Sequence, residues 1–250
     1  MNATRNVTST VGILGGMGPA AGADFARLFV AACADHMRGR GIAVSDQAFP
    51  EHWLAQIPVP DRMVALNDPK LGAHQPLEPM LQAVAKLAAL GATSVAVACN
   101  TAHIWHAALQ ERFPQLELLH VAHEVARALA AAGVREVGLL ATQGTYASGL
   151  YDQAFAKLGL VCHVPLALEQ EQLMHGIFNG VKAGNMALAY GAFAGVAKAL
   201  AERHGLQTLV LGCTEIPLAL TSVPDSPDLD LIDPAVLLAQ ALALRAYRVS

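Results

Sequence analysis

Short apolar runs alternate with longer segments of helical periodicity along almost the whole chain. This alternation is typical of a parallel β-sheet covered by helices, because parallel strands need long crossover connections that are usually helical. The sequence therefore predicts an α/β fold. The apolar runs predict strands at residues 11–14, 42–48, 94–98, 118–121, 136–140, 161–164, 208–211 and 229–232.

The longer segments place their apolar residues on one face, which predicts helices between the strands. Glycines follow several of these segments, as expected where a helix ends. One long connection, residues 50–79, is rich in proline, and we predict that it is a binding loop or lid. Helices are predicted at residues 24–37, 78–90, 124–132, 148–158, 169–178, 186–203 and 234–247.

The two halves of the chain repeat one pattern. Residues 10–16 (TVGILGG) resemble residues 136–142 (EVGLLAT), and VACNT at 97–101 resembles LGCT at 211–214. We therefore expect two similar lobes, each a parallel sheet flanked by helices, related by a pseudo-twofold axis with the active site in the cleft between them. The predicted first lobe is 1–110 plus 218–250, and the second is 111–217.

Composition excludes several classes of protein. Of the 250 residues, 54% are hydrophobic and 14% are charged, which favours a substantial core over disorder. The formal net charge of -4, without a basic stripe, argues against partners such as nucleic acid or an anionic membrane. The amino terminus shows no secretory leader pattern, and no cysteine forms a CxxC pair, so we expect a cytoplasmic protein with reduced thiols.

Two of the four cysteines stand in matching places, each directly after an apolar run. Cys99 is followed by Asn100 and Thr101, and Cys213 is followed by Thr214 and Glu215. One interpretation is that both are buried structural thiols, since free cysteine is among the most buried residue types. However, functional residues collect at the carboxyl ends of parallel strands, and these polar followers would be wasted in a core. We therefore predict that both cysteines are catalytic, while Cys33 and Cys162 belong to the core.

Two thiols in such places suit one reaction. A thiolate can take a proton from a carbon atom while the opposite thiol gives a proton back, which is the requirement of a racemase that uses no cofactor. Thr142 and Thr145 lie in the loop that matches the first glycine turn and are further candidate substrate contacts. Glu215 either orients the neighbouring thiol or caps a helix.

The sequence offers weaker support for two other kinds of site, a phosphate-binding loop and a metal site. The glycine turn at residues 15–19 (GGMGP) lacks the Gly-Lys-Ser/Thr ending of a phosphate-binding loop, so we favour a tight turn that exposes backbone N–H groups to substrate. The histidines have no accompanying carboxylate cluster, so we expect helix-surface or capping roles and no metal site. The four concerned are His103, His106, His120 and His123.

Five segments together resemble a known family. ACNTAH at 98–103 and GCTEIP at 212–217 are similar to the two signature motifs of the cofactor-independent aspartate/glutamate racemases. GILGGMGP at 12–19, IPVPDR at 57–62 and GVKAG at 180–184 are similar to the aspartate racemase branch. Glutamate racemases typically carry histidine after the second Cys-Thr, so Glu215 favours the aspartate or broad-specificity branch.

The resemblance implies a function and a set of residues. Cys99 and Cys213 would exchange the α-proton of an amino acid from opposite faces, with no cofactor. The implied substrate contacts are Met17, Arg62, Asn100, Thr101, Thr142, Thr145, Lys182, Thr214 and Glu215. Arg62 and Lys182 would suit a dicarboxylate such as aspartate, and the family implies a homodimer. Alternatives are a related cysteine-dependent isomerase or decarboxylase, resembling maleate isomerase, hydantoin racemase or arylmalonate decarboxylase, or a non-catalytic amino acid sensor.

Overall fold

The computed structural model describes residues 8–67, 74–221 and 229–248. Its strands are β1 (Val11–Gly15), β2 (His52–Gln56), β3 (Ser94–Val97), β4 (Glu117–Leu118), β5 (Glu136–Ala141), β6 (Val161–His163), β7 (Thr208–Gly212) and β8 (Asp230–Ile232). Its helices are α1 (Pro19–Gly39), α2 (Arg62–Asn67), α3 (His74–Ala89), α4 (His106–Arg112), α5 (Val121–Ala131), α6 (Gln143–Ala147), α7 (Leu150–Ala156), α8 (Ala167–His175), α9 (Met186–His204), α10 (Ile216–Ala219) and α11 (Pro234–Ala246).

The chain divides into two compact units. The first comprises Met1–Val121 with Ala235–Ser250, and the second comprises Ala122–Pro234. The predicted lobes were 1–110 with 218–250 and 111–217. Both predicted boundaries, after residues 110 and 217, therefore lie earlier in the chain than the observed ones, after Val121 and Pro234. The difference has a physical cause, because β4 pairs with β3 and so stays in the first unit, while β8 pairs with β7 and so stays in the second.

The first unit contains a four-stranded parallel sheet in the order β2-β1-β3-β4. All residues of β1 and β3 are buried, as expected for central strands that are covered on both faces. Helix α1 begins at Pro19, whose fixed φ suits the first turn of a helix. It buries a row of residues four apart: Phe25, Phe29, Cys33 and Met37.

The predicted strand at 42–48 is wrong. Residues 46–48 form a 3₁₀ turn, and the edge strand is β2, inside the predicted proline-rich loop. None of the five β2 residues is fully buried, so the strand carries little apolar signal, and its pairing with β1 is what makes it a strand. Helix α2 and the start of α3 also lie within residues 50–79, of which residues 68–73 fall outside the described residues.

The second unit contains a parallel sheet of the same internal order, β6-β5-β7-β8. Its core is formed by apolar side chains of α8, α9 and β7, with Phe193 and Leu200 fully buried. The predicted helix at 148–158 is α7, and a short helix that was not predicted, α6, precedes it; Gly149, with a left-handed backbone conformation at φ 62°, separates the two. The structure thus shows the α/β class that the alternation predicted, with four parallel strands in each sheet.

The end of the chain returns to the first unit. The backbone N–H of Ser9 donates to the carbonyl of Ala246 at 2.8 Å, and Arg245 Nε donates to Glu117 Oε1 at 2.8 Å. Tyr247 Oη donates to the carbonyl of Ala48 at 3.0 Å. Across residues 8–67, 74–221 and 229–248, no helix is long and apolar enough to cross a membrane.

Candidate active site

Cys99 lies just beyond the carboxyl end of β3 in the first unit. The strand is continued by the backbone N–H of Ala98, which donates to the carbonyl of Leu14 on β1 at 2.8 Å. Cys99 is 7% exposed, and the two residues that follow it, Asn100 and Thr101, are also buried. Buried polar side chains in sequence after a thiol provide hydrogen-bonding groups at the end of the sheet, where parallel folds place ligands.

The side chain of His103 is hydrogen-bonded to the backbone of Cys99. Its Nδ1 lies 2.9 Å from the carbonyl oxygen of Cys99. A carbonyl only accepts, so Nδ1 carries the proton and donates. Burial, together with the neighbouring His106, lowers the pKa of His103 to about 4, so the imidazole is neutral near pH 7.

The histidines form a cluster in the first unit. The rings of His106 and His120 have their centroids 4.8 Å apart, and those of His103 and His120 are 5.3 Å apart. His106 Nε2 donates to the carbonyl of Leu118 on β4 at 2.7 Å, and burial lowers the pKa of His106. The cluster therefore ties α4 and its preceding turn to β4. In the part of the chain that the structure describes, no three His, Cys, Asp or Glu side chains converge in a metal-binding arrangement.

Arg62 joins the glycine turn to the proline-rich segment. Its Nη2 donates to the carbonyl of Met17 at 3.2 Å, and its Nη1 donates to the carbonyls of Val59 and Pro60 at 3.3 Å. Gly16, at φ +96°, lies so close to Ile57 that an added Cβ would be 2.2 Å from the Ile57 carbonyl oxygen. The structure thus brings together Met17 and Arg62, two predicted site residues that are distant in sequence.

Cys213 lies just beyond β7 in the second unit and is 5% exposed. Its Sγ donates to Glu215 Oε2 at 3.1 Å, and Thr214 Oγ1 donates to the same oxygen at 3.1 Å. Glu215 is buried at the start of α10, where its side chain makes no capping hydrogen bond. Of the two roles that the sequence left open for Glu215, the structure shows the contact with the thiol.

Thr142 and Thr145 lie at the same edge of this sheet, because Ala141 on β5 pairs with Gly212 on β7. Thr142 begins α6, and its Oγ1 accepts from the backbone N–H of Thr145 at 3.3 Å. The two hydroxyl oxygens are 3.0 Å apart. Two buried hydroxyl groups thus follow the strand that neighbours the one ending in Cys213.

Lys182 lies on an exposed 3₁₀ turn of the second unit, Val181–Ala183. Its Nζ is 4.3 Å from the centroid of the Phe178 ring, a favourable cation–π distance. The left-handed conformation of Gly184, at φ 78°, ends the turn. The ammonium group is therefore held above an aromatic face while it remains accessible.

Comparison with known proteins identifies the family. Residues 14–242 match the family described as Asp/Glu/hydantoin racemase. The chain belongs to this family. Its membership places the protein among the amino acid racemases, a class of isomerases.

Solved structures of the family share the fold. The aspartate racemase of Picrophilus torridus superposes with a TM-score of 0.77 and 27% identity, over 95% of this chain and 94% of that one. A glutamate racemase of Bacillus anthracis superposes with a TM-score of 0.62 and 21% identity, over 94% of this chain and 80% of that one, which shows a common fold.

Among sequence relatives, a glutamate racemase of Ectopseudomonas mendocina is 35% identical over 164 residues, which are 62% of this chain and 59% of that protein. The chain thus spans only about half to three fifths of the length of these glutamate racemases. The aligned part is 59% of the Ectopseudomonas mendocina protein and 47% of a Pseudomonas aeruginosa glutamate racemase.

Two residues of this family member escaped sequence reasoning. His103 was predicted to be a helix-surface or capping residue, which is wrong, because its side chain is buried and bonded to the Cys99 carbonyl. Tyr146 gave no signal at all. Its hydroxyl accepts from the backbone N–H of Ala141 at 2.6 Å and donates to the carbonyl of Leu139 at 3.0 Å, and burial raises its pKa.

Proposed function

We propose that this protein interconverts the L- and D-enantiomers of aspartate without a cofactor, using Cys99 and Cys213 as an acid/base pair. The observation that carries the proposal is that, in each unit, a buried cysteine follows a central parallel strand and is itself followed by buried or partly buried polar side chains. Membership of the racemase family and the likeness to an aspartate racemase over 95% of the chain support it.

The chemistry requires two groups of opposite protonation. One cysteine, as thiolate, removes the α-proton from one face of the amino acid and becomes a thiol. The other cysteine, as thiol, delivers its proton to the opposite face and becomes a thiolate. One proton enters the protein and one leaves it, so the reaction balances without an oxidant, a reductant or a metal.

The intermediate carbanion next to a carboxylate needs electrostatic stabilisation. The proposal assigns this role to N–H and side-chain donors at the strand ends. The amide of Asn100 and the hydroxyl groups of Thr101, Thr142, Thr145 and Thr214 are of the right kind, because each can donate to a developing negative charge.

We further propose that Arg62 and Lys182 bind the carboxylates of the substrate, and that the Met17 turn contacts it. Arg62 is already bonded to the Met17 carbonyl, so a ligand on the guanidinium also lies at the glycine turn. Two cations favour a dicarboxylate over a neutral amino acid. Substituting Lys182 by Met is expected to raise the KM for aspartate by about tenfold or more, while Lys157→Met, at an exposed position of the second unit, leaves it unchanged.

Glutamate and related amino acids remain within the proposal as alternative substrates, because glutamate racemases are among the relatives. The proposal also includes a homodimer in the cytoplasm. The four cysteines at positions 33, 99, 162 and 213 are free thiols, which suits a reducing compartment. Sedimentation velocity measures the mass of the assembly, and a species at twice the chain mass is expected.

The decisive experiment is proton NMR of L-aspartate with the purified protein in D2O under reducing conditions. We expect the α-proton signal to disappear and D-aspartate to form, as measured by chiral chromatography. Cys99→Ser and Cys213→Ser are each expected to lower racemisation by at least about a thousandfold, because a serine hydroxyl is a much weaker acid than a thiol and does not ionise near neutral pH. Cys33→Ser, which alters a core cysteine outside the site, is the matched control for thiol loss.

Because enantiomers have equal free energy in water, kcat/KM for the two directions must fall by the same factor in each variant. Exchange of the α-proton without racemisation is a separate measurement for each enantiomer. A variant that still exchanges the α-proton of one enantiomer but not of the other would assign a face of the substrate to each thiol. No exchange with aspartate, glutamate or other amino acids would contradict the proposal and favour a related isomerase, a decarboxylase or an amino acid sensor.

A further inference from the structure

Glu215 directs one carboxylate oxygen at two donors. Its Oε2 accepts from Cys213 Sγ and from Thr214 Oγ1, each at 3.1 Å. Glu215 is buried, so bulk water competes little for this oxygen. An oxygen that accepts from both neighbours has no proton of its own to give, and an ionised carboxylate is an acceptor only. A thiol that donates to this carboxylate oxygen is the arrangement from which the position of the proton is inferred.

The sequence that follows Cys99 differs from the sequence that follows Cys213. The segment that follows it, residues 98–103, contains no acidic residue and supplies an amide and a hydroxyl from Asn100 and Thr101. The adjacent His103 is bonded to the Cys99 backbone and is neutral near pH 7. Neighbouring donors favour a thiolate, whereas an adjacent carboxylate acceptor favours a thiol.

We propose that Glu215 holds the proton on Cys213 in the free enzyme, so that Cys99 is the resting thiolate and removes the α-proton of the enantiomer that presents it to Cys99. The inference rests on the proposed acid/base roles of the two cysteines and assigns their resting states, which those roles leave open. Glu215 acts through Cys213 and is a positioning residue.

The same contact returns the enzyme to its starting state. After one turnover, Cys99 has gained the substrate proton and Cys213 has become a thiolate beside the Glu215 carboxylate. Two anions in contact in a buried site repel one another strongly. Once the product leaves, a proton therefore passes from Cys99 to Cys213 through solvent, with no net gain or loss of protons.

Alkylation by iodoacetamide measures the resting state directly, because the thiolate is the reacting form. The reagent is uncharged, so the Glu215 charge does not repel it. As whole residues, Cys99 and Cys213 are exposed to similar extents, 7% and 5%. The full-length protein is treated without substrate near pH 7, and the modified cysteines are quantified by peptide mass spectrometry over time.

We expect the alkylation rate of Cys99 to exceed that of Cys213 by about tenfold or more. Glu215→Gln keeps the shape of the side chain and removes its charge, and it is expected to raise the rate at Cys213 severalfold. Glu202→Gln, an exposed change on α9 that removes the same charge from the same unit, is expected to leave both rates unchanged. As the pH is raised toward 10, the two rates should converge, since both thiols then ionise.

Equal or faster alkylation of Cys213 in the unsubstituted protein would overturn the inference, and would place the proton on Glu215 or on Cys99. A rate difference that persists at high pH, or that Glu215→Gln does not change, would also overturn it, because accessibility would then be its cause. The α-proton exchange assay is run on the same samples. Failure of exchange with aspartate, glutamate and other amino acids counts against the proposed function, whereas the alkylation ratio tests the proton's position separately.

Discussion

Among single residues, the four cysteines divide by what surrounds them. Burial raises the pKa of Cys33 and of Cys162 to about 12, so both stay protonated thiols near neutral pH. Cys33 is one of the apolar row of α1, as predicted for a core residue, whereas Cys162 is only partly buried on the edge strand β6, so its predicted place in the core is wrong. Cys99 and Cys213 instead follow central strands and are flanked by polar side chains. Surroundings of this kind, and not burial alone, distinguish a reactive thiol from a structural one.

The lowered pKa of His103 predicts that the stability of the folded protein depends on pH. Its pKa is about 4 in the folded protein, mainly through burial, against about 6.5 for an ordinary histidine in an unfolded chain. Between these values the unfolded chain binds a proton that the folded chain does not, so the free energy of unfolding falls as the pH falls. Between about pH 7.5 and about pH 5, this residue should lower the free energy of unfolding by about 2 kcal/mol, as measured by urea unfolding.

The test of this dependence is His103→Asn, whose amide can still donate to the Cys99 carbonyl but does not titrate. The substituted protein should lose about 2 kcal/mol less than the unsubstituted protein over the same pH interval. His175→Gln removes an exposed histidine of α8 and should not change the pH dependence. An identical pH dependence in His103→Asn would show that other groups are responsible.

Among the helices and strands, the site is organised by strand ends. Leu14 on β1 pairs with Val97 on β3, and Ala141 on β5 pairs with Gly212 on β7. These two registers bring the glycine turn beside the residues that lead to Cys99, and Thr142 beside Cys213. Within each unit, the residues that we assign to the substrate therefore lie at the carboxyl edge of a parallel sheet.

Tyr146 connects one of these strand ends to the helix that follows it. Its hydroxyl bridges the Ala141 N–H and the Leu139 carbonyl, so Tyr146→Phe leaves two backbone groups without this partner. We expect the free energy of unfolding to fall by about 2 kcal/mol. Tyr190→Phe, on α9 in the same unit, should change it by less than about 0.5 kcal/mol. Equal effects of the two substitutions in urea unfolding would contradict the bridging role.

In the molecule as a whole, each unit has its own sheet and its own core. The first unit is built from both ends of the chain, and helix α11 supplies buried side chains to it, including Leu238 and Leu242. Trp53 and Trp105 are the two tryptophans of the sequence, and both belong to the first unit. Their fluorescence therefore reports on that unit.

This arrangement predicts that a change near the carboxyl terminus is seen by tryptophans in the amino-terminal half. Leu242→Ala creates a cavity at a fully buried position and should lower the free energy of unfolding by about 3 kcal/mol, measured by tryptophan fluorescence in urea. Leu244→Ala alters a half-exposed residue of the same helix and should cost less than about 1 kcal/mol. A fluorescence midpoint that Leu242→Ala leaves unchanged would show that α11 does not stabilise the first unit.

The sequence by itself determined the α/β class, the placing of most strands and the two cysteines that follow β3 and β7. These features are local, because apolar periodicity and short motifs are properties of neighbouring residues. The Glu215 carboxylate two positions after Cys213 was equally visible, although the sequence left its role open between orienting the thiol and capping a helix.

Only the tertiary structure decided the rest. Strand β2 lacks an apolar pattern and exists because it pairs with β1. Arg62 meets the Met17 carbonyl across 45 residues, and the boundaries of the units follow from the pairing of β4 and β8. Whether Glu215 caps a helix or accepts from a thiol depends on the conformation of one turn. Each of these features is a contact between backbone or side-chain groups in three dimensions, which periodicity along the chain does not encode.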